Sequence, residues 1–215
     1  MNWKRATTDE KKIERKEAIC QAAFLLFKQN GYDKVSFNNI AAEAGFTKSN
    51  MYRYFSSREE IFLNIFSELF ERWLDDCCKR LRALEQGAEP SQYADTYVQS
   101  LLAHRQFLDL TPILFTSLES NSSYEQLVEF KRLAKGLLFK LAMEIGRIYP
   151  EMDMEKAFKL LNLSHAATSS GWAAASDNAA LNKLYEQEEF QELKPGFERD
   201  LSSAIEIFIR GIQAS

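Results

Sequence analysis

An all-α fold is predicted for this chain: a small N-terminal three-helix head followed by a larger C-terminal helical bundle. Three observations predict it. Ala, Leu, Glu, Lys, Gln and Phe dominate the 215 residues, and only four Pro and eight Gly interrupt them. Apolar residues recur at three- and four-residue spacing along most of the chain. The breaks between these stretches carry helix-start and helix-stop residues in place of the alternation that marks strands.

The elements follow in order. A first helix is predicted from about Lys11 to Asn30, where Ile19, Ala22, Ala23, Leu26 and Phe27 share one face and Gly31 can take the left-handed stop. Ser36 is a natural N-cap for a short second helix whose Ile40, Ala41 and Ala44 face inward. Gly45-Phe46-Thr47 is the turn, and Thr47 caps a third helix from Lys48 to about Tyr54. Ser57 and Glu60 have the spacing of a capping box that opens a fourth helix to about Leu84. Further helices are predicted over about 92–108, from Thr111-Pro112, from the Ser123–Gln126 capping box to Tyr149, and from Asp153 to about Ser176. A polar, acidic stretch from Asp177 to Gly196 reads as a long connection holding at most one short helix. The last helix spans about Phe197 to Ile212.

Charge divides unevenly between the parts. Residues 1–60 hold eleven Lys and Arg against eight Asp and Glu, and the remainder hold sixteen against twenty-three. A mildly basic head on an acidic body predicts that only the head meets a polyanion. The polar opening Met1-Asn-Trp-Lys-Arg lacks the apolar core of a signal peptide, and no apolar run approaches the roughly 18–20 residues of a membrane span. Cys20, Cys77 and Cys78 have neither disulfide-framework nor zinc spacing, so no metal or cofactor is expected and a reducing cytoplasm fits.

The informative segment runs from Ser36 to Phe55, SFNNIAAEAGFTKSNMYRYF. Two short helices joined through a central glycine make a helix-turn-helix, pinned by Phe37, Ile40, Ala41, Ala44, Met51 and Phe55. Lys48, Ser49, Asn50, Tyr52 and Arg53 remain outward, all hydrogen-bonding and none acidic. A helical hairpin buried in a larger core has no need of such a surface; a helix entering the major groove of duplex DNA does. Arg53 suits a bidentate pair with guanine and Asn50 one with adenine, the alternative being that Arg53 only binds phosphate. Lys48, Tyr52 and Tyr54 can reach phosphates, as can Ser36 and Thr47 at helix N-termini, with Arg58 on the adjacent phosphate.

The run resembles the DNA-binding signature of the tetracycline-repressor-like (TetR) family of bacterial transcription regulators. The resemblance lies in Gly31-Tyr32, Ile40-Ala41, Ala44-Gly45, Thr47-Lys48, Tyr52, Tyr54-Phe55 and Ser57-Arg58-Glu59, and it covers about residues 10–65. Ser49 stands where glycine is common, Arg58 replaces the frequent lysine, and Asn38-Asn39 is unusually polar. The resemblance implies a DNA-binding domain over residues 1–60. It also implies a domain over 61–215 that binds an effector and dimerises through its last two long helices.

The residues of the body give their own reading. Leu160, Leu163, Ala167, Gly171 and Ala174 leave one helix slim enough to pack on two neighbours. With Ile205, Phe208, Ile209 and Ile212 of the last helix they make the candidate homodimer face; the alternative is that both helices are intra-chain core. Phe70, Trp73, His104, Phe107, Phe115, Phe139, Asn162, His165 and Trp172 are the candidate walls of a pocket for a partly apolar small molecule, although a histidine among aromatics is more often a hydrogen-bonded core residue than a ligand contact. The expected activity is a homodimeric repressor on a palindromic, double-stranded DNA operator, released by that effector. The alternative is an effector-independent architectural or cell-cycle DNA binder. Two histidines, no nucleophile beside a base and no phosphate loop argue against an enzyme.

Overall fold

The computed structural model describes the backbone of residues 3–215 and side chains from residue 10 onward; the expectation resting on Met1 to Arg5 lies outside the described side chains. The described chain is helical, with no strand among its described residues. Its α-helices are α1 (Trp3–Asn30), α2 (Phe37–Glu43), α3 (Lys48–Met51), α4 (Arg58–Leu81), α5 (Pro90–Ala103), α6 (Arg105–Leu110), α7 (Tyr124–Ile148), α8 (Met154–Ala174), α9 (Ala179–Leu184) and α10 (Phe197–Gln213). Two compact units share them. One holds residues 1–68 together with 113–131; the other holds 69–112 and 132–215. The chain therefore passes between units inside α4, after Pro112, and inside α7.

In the first unit, Ile19 and Ala23 of α1, Ile40 of α2, Met51 of α3 and Ile61 and Phe62 of α4 are fully buried. Tyr32 meets Phe62 edge-on at 5.1 Å, and Phe66 meets Phe130 edge-on at 5.8 Å. Gly31 ends α1 at φ +78°, and its N–H donates to the Phe27 carbonyl.

In the second unit α10 packs on both α5 and α8. Leu160, Leu201, Ile205, Ile209 and Ile212 supply that seam. Pro90 stands in the first turn of α5 behind a Glu89–Gln92 capping box, where its missing N–H costs nothing. Arg147 closes the far end of α4 by donating to the carbonyls of Leu81 and Leu84, while Glu144 holds Arg147 and Arg82. Asp153 caps α8 through the Lys156 N–H at 2.9 Å.

Several boundaries differ from expectation. The 92–108 helix breaks at His104 (φ −118°, ψ 54°), giving α5 and α6. The helix expected from Thr111 is instead a run of 3-10, π and 3-10 turns over Thr111–Asn121. Its polar side chains bond backward to carbonyls: Thr111 to Leu108, Ser120 to Phe115, Asn121 to Ser117. Such back-bonding competes with a regular ladder. The fourth helix ends at Leu81, three residues early, where 3-10 bonds from Ala83 and Leu84 tighten the last turn. The connection 177–196 holds α9, capped by Asn178, and a 3-10 turn over Glu188–Leu193.

Candidate nucleic-acid interface

The turn between α2 and α3 is a Schellman stop. Gly45, at φ +73°, donates to the Ala42 carbonyl, and Phe46 donates to Ala41 at 2.8 Å. Only a residue without a Cβ takes this conformation cheaply. The hydroxyl of Ser36 accepts the Asn39 N–H at 3.1 Å, and that of Thr47 accepts the Asn50 N–H at 3.3 Å. Both hydroxyl protons are still able to point outward from these N-termini.

α3 is a single turn, not a helix to Tyr54. Past Met51 the path continues through 3-10 bonds from Arg53 to Asn50 and from Tyr54 to Met51, and ends where buried Phe55 anchors it. The seven residues still project as expected. Lys48, Ser49, Asn50, Tyr52 and Arg53 are exposed, whereas Met51 and Phe55 are buried. Tyr52 is 57% exposed and rests on the Phe37 ring at 5.1 Å, which fixes its direction. Tyr54 is half-buried against Phe46. The face is thus cationic and hydrogen-bonding, held on a rigid base.

Arg58 is a correction. Its guanidinium lies 4.3 Å over the Tyr32 ring and donates to the carbonyls of Tyr32 (3.3 Å) and Val35 (2.8 Å) and to the Glu59 carboxylate (2.8 and 3.0 Å). All three nitrogens serve the joint between α1 and α4, so the expected phosphate contact gives way to a structural role.

The proposed pocket walls disperse. Phe70, Trp73 and Phe107 stack nearly parallel, with centroids 4.9–5.9 Å apart, and are buried; they fill space instead of lining it. Trp73 Nε1 donates to Ser100 at 3.0 Å. His104 sits 3.2 Å from Asp76, which also holds Arg80. Trp172 is half-buried, donating to Asp109 and meeting Phe197 edge-on, and His165 is half-buried nearby in sequence. Asn162, Phe115 and Phe139 are exposed, and Phe115 belongs to the first unit. A cavity of about 320 Å³ opens where α7 gives way to α8, between Met143, Gly146, Arg147, Met152 and Met154, and none of the expected wall residues lines it.

The proposed dimer residues split as well. Leu160, Ile205, Ile209 and Ile212 are buried within their own chain, and Gly171 packs on Phe197, where an added Cβ would come within 3.4 Å of the ring. Leu163 and Ala174 are exposed, Ala167 and Phe208 half-buried. The outer stripe of α10 is Ser203, Ala204, Ile207, Phe208 and Gly211, with Ile207 63% exposed. The sequence reading missed Ile207 because the stronger apolar stripe of Ile205 and Ile209, two positions away and on the opposite side of the helix, drew the assignment.

Among the described residues no helix is long and apolar enough to cross a membrane, and no cluster of His, Cys, Asp or Glu has metal-binding geometry. Burial pushes the Cys20 and Cys77 thiols up to about 12 and the Cys78 thiol to about 11, which keeps them protonated.

Comparison with known proteins agrees with this geometry. Residues 19–65 match the model of bacterial regulatory proteins of the tetR family, and residues 67–215 match the tetracyclin repressor-like C-terminal domain. The uncharacterized HTH-type regulator YfiR of Bacillus subtilis is 31% identical over 94 residues, 44% of this chain and 46% of that protein, so the match spans under half of that relative. YdgC of the same organism is 28% identical over 182 residues, covering 80% of this chain and 88% of YdgC. RutR of Escherichia coli is 33% identical over 85 residues, 40% of this chain and 38% of RutR. Among solved structures, FadR of Thermus thermophilus, a TetR-family repressor in complex with lauroyl-CoA, superposes with a TM-score of 0.57 at 20% identity, covering 92% of each chain. FadR of Bacillus halodurans gives 0.56 at 16%, covering 90% of this chain and 94% of that one. The chain belongs to the tetR family of bacterial regulatory proteins.

Proposed function

We propose that this regulator is a cytoplasmic, homodimeric repressor without a catalytic step, binding a palindromic operator and released by a partly apolar small molecule. The observation that carries the reading is the acid-free, exposed face Lys48 to Arg53, presented just after a capped N-terminus. On that face Arg53 and Asn50 read base edges, while Lys48, Ser49, Tyr52, Tyr54, Ser36 and Thr47 hold the backbone. Residues 1–60 act as the reading domain and 61–215 as the effector and dimerisation domain.

One short α3 reads few base pairs, so two copies on half-sites about one helical turn apart supply the specificity. The outward residues of α8 and α10, Leu163, Ala174, Ile207 and Phe208, are the surface we assign to that pairing. Release follows from a population shift: the effector stabilises a spacing of the heads that no longer fits both half-sites. The same fold carries lauroyl-CoA in the Thermus protein, which supports an apolar effector class. The closed Phe70–Trp73–Phe107 stack favours the second reading, an effector-independent DNA binder. Selection of duplexes from a randomised pool by the full chain tests the first part: an enriched inverted repeat is expected, and no enrichment overturns it. Screening small molecules for release of that duplex separates the two readings.

A further inference from the structure

Residues 113–131 lie in the body's sequence, yet they cluster with the head. The start of α7 makes a specific connection there. Gln126, half-buried, closes the capping box of α7 with its carbonyl oxygen, which accepts the Ser123 N–H at 3.1 Å, while its own N–H donates to the Ser123 hydroxyl. The cap requires only that oxygen. The side-chain amide nitrogen instead donates to the hydroxyl of Ser56, seventy positions away, at 3.0 Å. Ser56 follows the anchor Phe55, where the reading segment ends. Its hydroxyl and its backbone N–H both donate to the Glu60 carboxylate in the first turn of α4. One side chain therefore joins three pieces: the start of α7, the exit of the reading segment and the start of α4.

We propose that Gln126 is a positioning residue for DNA reading, and that α7 is a second mechanical connection to the head beside α4. The inference rests on the assignment of Lys48 to Arg53 as the reading face. Each bond in the relay is exposed and individually modest. Its effect comes from its place, because the segment between Met51 and Phe55 is held by 3-10 bonds and one α-type bond from Phe55 to Met51, and has no long helix of its own to keep it aligned. A displacement at the start of α7 then reaches the reading face through Ser56.

Gln126→Glu tests this without removing the cap. A carboxylate at this position still accepts the Ser123 N–H, but it cannot donate to Ser56 and it places a second negative charge beside Glu60. Ser56→Ala breaks the same connection from the head side. Both variants should melt within a few degrees of the parent chain. Both should show faster amide exchange over residues 52–57 and bind the duplex selected by the parent chain about five- to 160-fold more weakly, the loss of one such bond in each of two heads. The double variant should bind no more weakly than the worse single one. Unchanged exchange and affinity in the singles, or fully additive losses in the double, overturn the proposal. Failure of the parent chain to select any duplex overturns the reading-face assignment instead.

Discussion

Arg58 and Tyr52 carry side chains equally able to meet a phosphate, and their surroundings give them opposite roles. The Arg58 guanidinium is enclosed by the Tyr32 ring, two backbone carbonyls and Glu59, whereas the Tyr52 ring is braced on Phe37 with its hydroxyl end exposed. Arg58→Ala should therefore lower stability by about 1–3 kcal/mol, since it leaves the Val35 carbonyl and the Glu59 carboxylate without their charged donor. It should leave the salt dependence of DNA binding unchanged, because a phosphate contact contributes about 0.9 to that slope. A denaturation curve and a salt titration of affinity check both halves. The sequence alone placed Lys48, Ser49, Asn50, Tyr52 and Arg53 correctly on the surface, since their outward positions follow from helical phase around the buried Met51. It misplaced Arg58 because nothing local in the sequence reports that Tyr32 and Val35, more than twenty positions earlier, turn their carbonyls toward it.

At the scale of elements, the ends of α4 and α7 are tied by one cluster. Burial works to raise the Glu144 carboxyl, and hydrogen bonds and charges from Arg82 and Arg147 outweigh it, holding the group below its ordinary 4.5. A carboxylate held down in the folded state stabilises the fold above its unfolded value, and that contribution is lost as pH falls through the lowered folded value. Glu144→Gln should thus lower Tm at pH 7, and the gap from the parent chain should narrow as pH drops below about 4.5, as thermal melts across that range would record. Helix starts were legible from sequence because a cap is a local event: Ser36, Thr47, Ser57, Ser123 and Asp153 each accept the expected backbone N–H. The break at His104 and the irregular run Thr111–Asn121 were not legible. There the outcome depends on competition between side-chain hydroxyls and backbone donors for the same carbonyls, and periodicity is blind to it.

For the molecule as a whole, the seam of α5, α8 and α10 separates what folds one chain from what can join two. The apolar stripe Leu201, Ile205, Ile209 and Ile212 is buried inside the chain, so the sequence could announce its strength but not its partner. Ile205→Asp should unfold the second unit, because a charge would be buried there without a counter-ion. Ile207→Asp should keep the fold within about 0.5 kcal/mol, as exposed substitutions do, yet convert a dimer to a monomer in sedimentation and weaken operator binding. A monomeric parent chain would contradict the assigned face. Of the aromatic residues expected to wall a pocket, Phe70, Trp73 and Phe107 stack on one another in the core, whereas Phe115 and Phe139 are exposed.

The central claim is that the short segment after Gly45 reads DNA. It is tested most directly by titrating the selected duplex with the parent chain and with a Lys48→Ala, Tyr52→Ala variant over a range of salt concentrations. The account predicts specific binding that falls steeply with salt in the parent chain, and loss of that binding in a variant that still melts like the parent. Equal affinity and equal salt slope for the two proteins would contradict it.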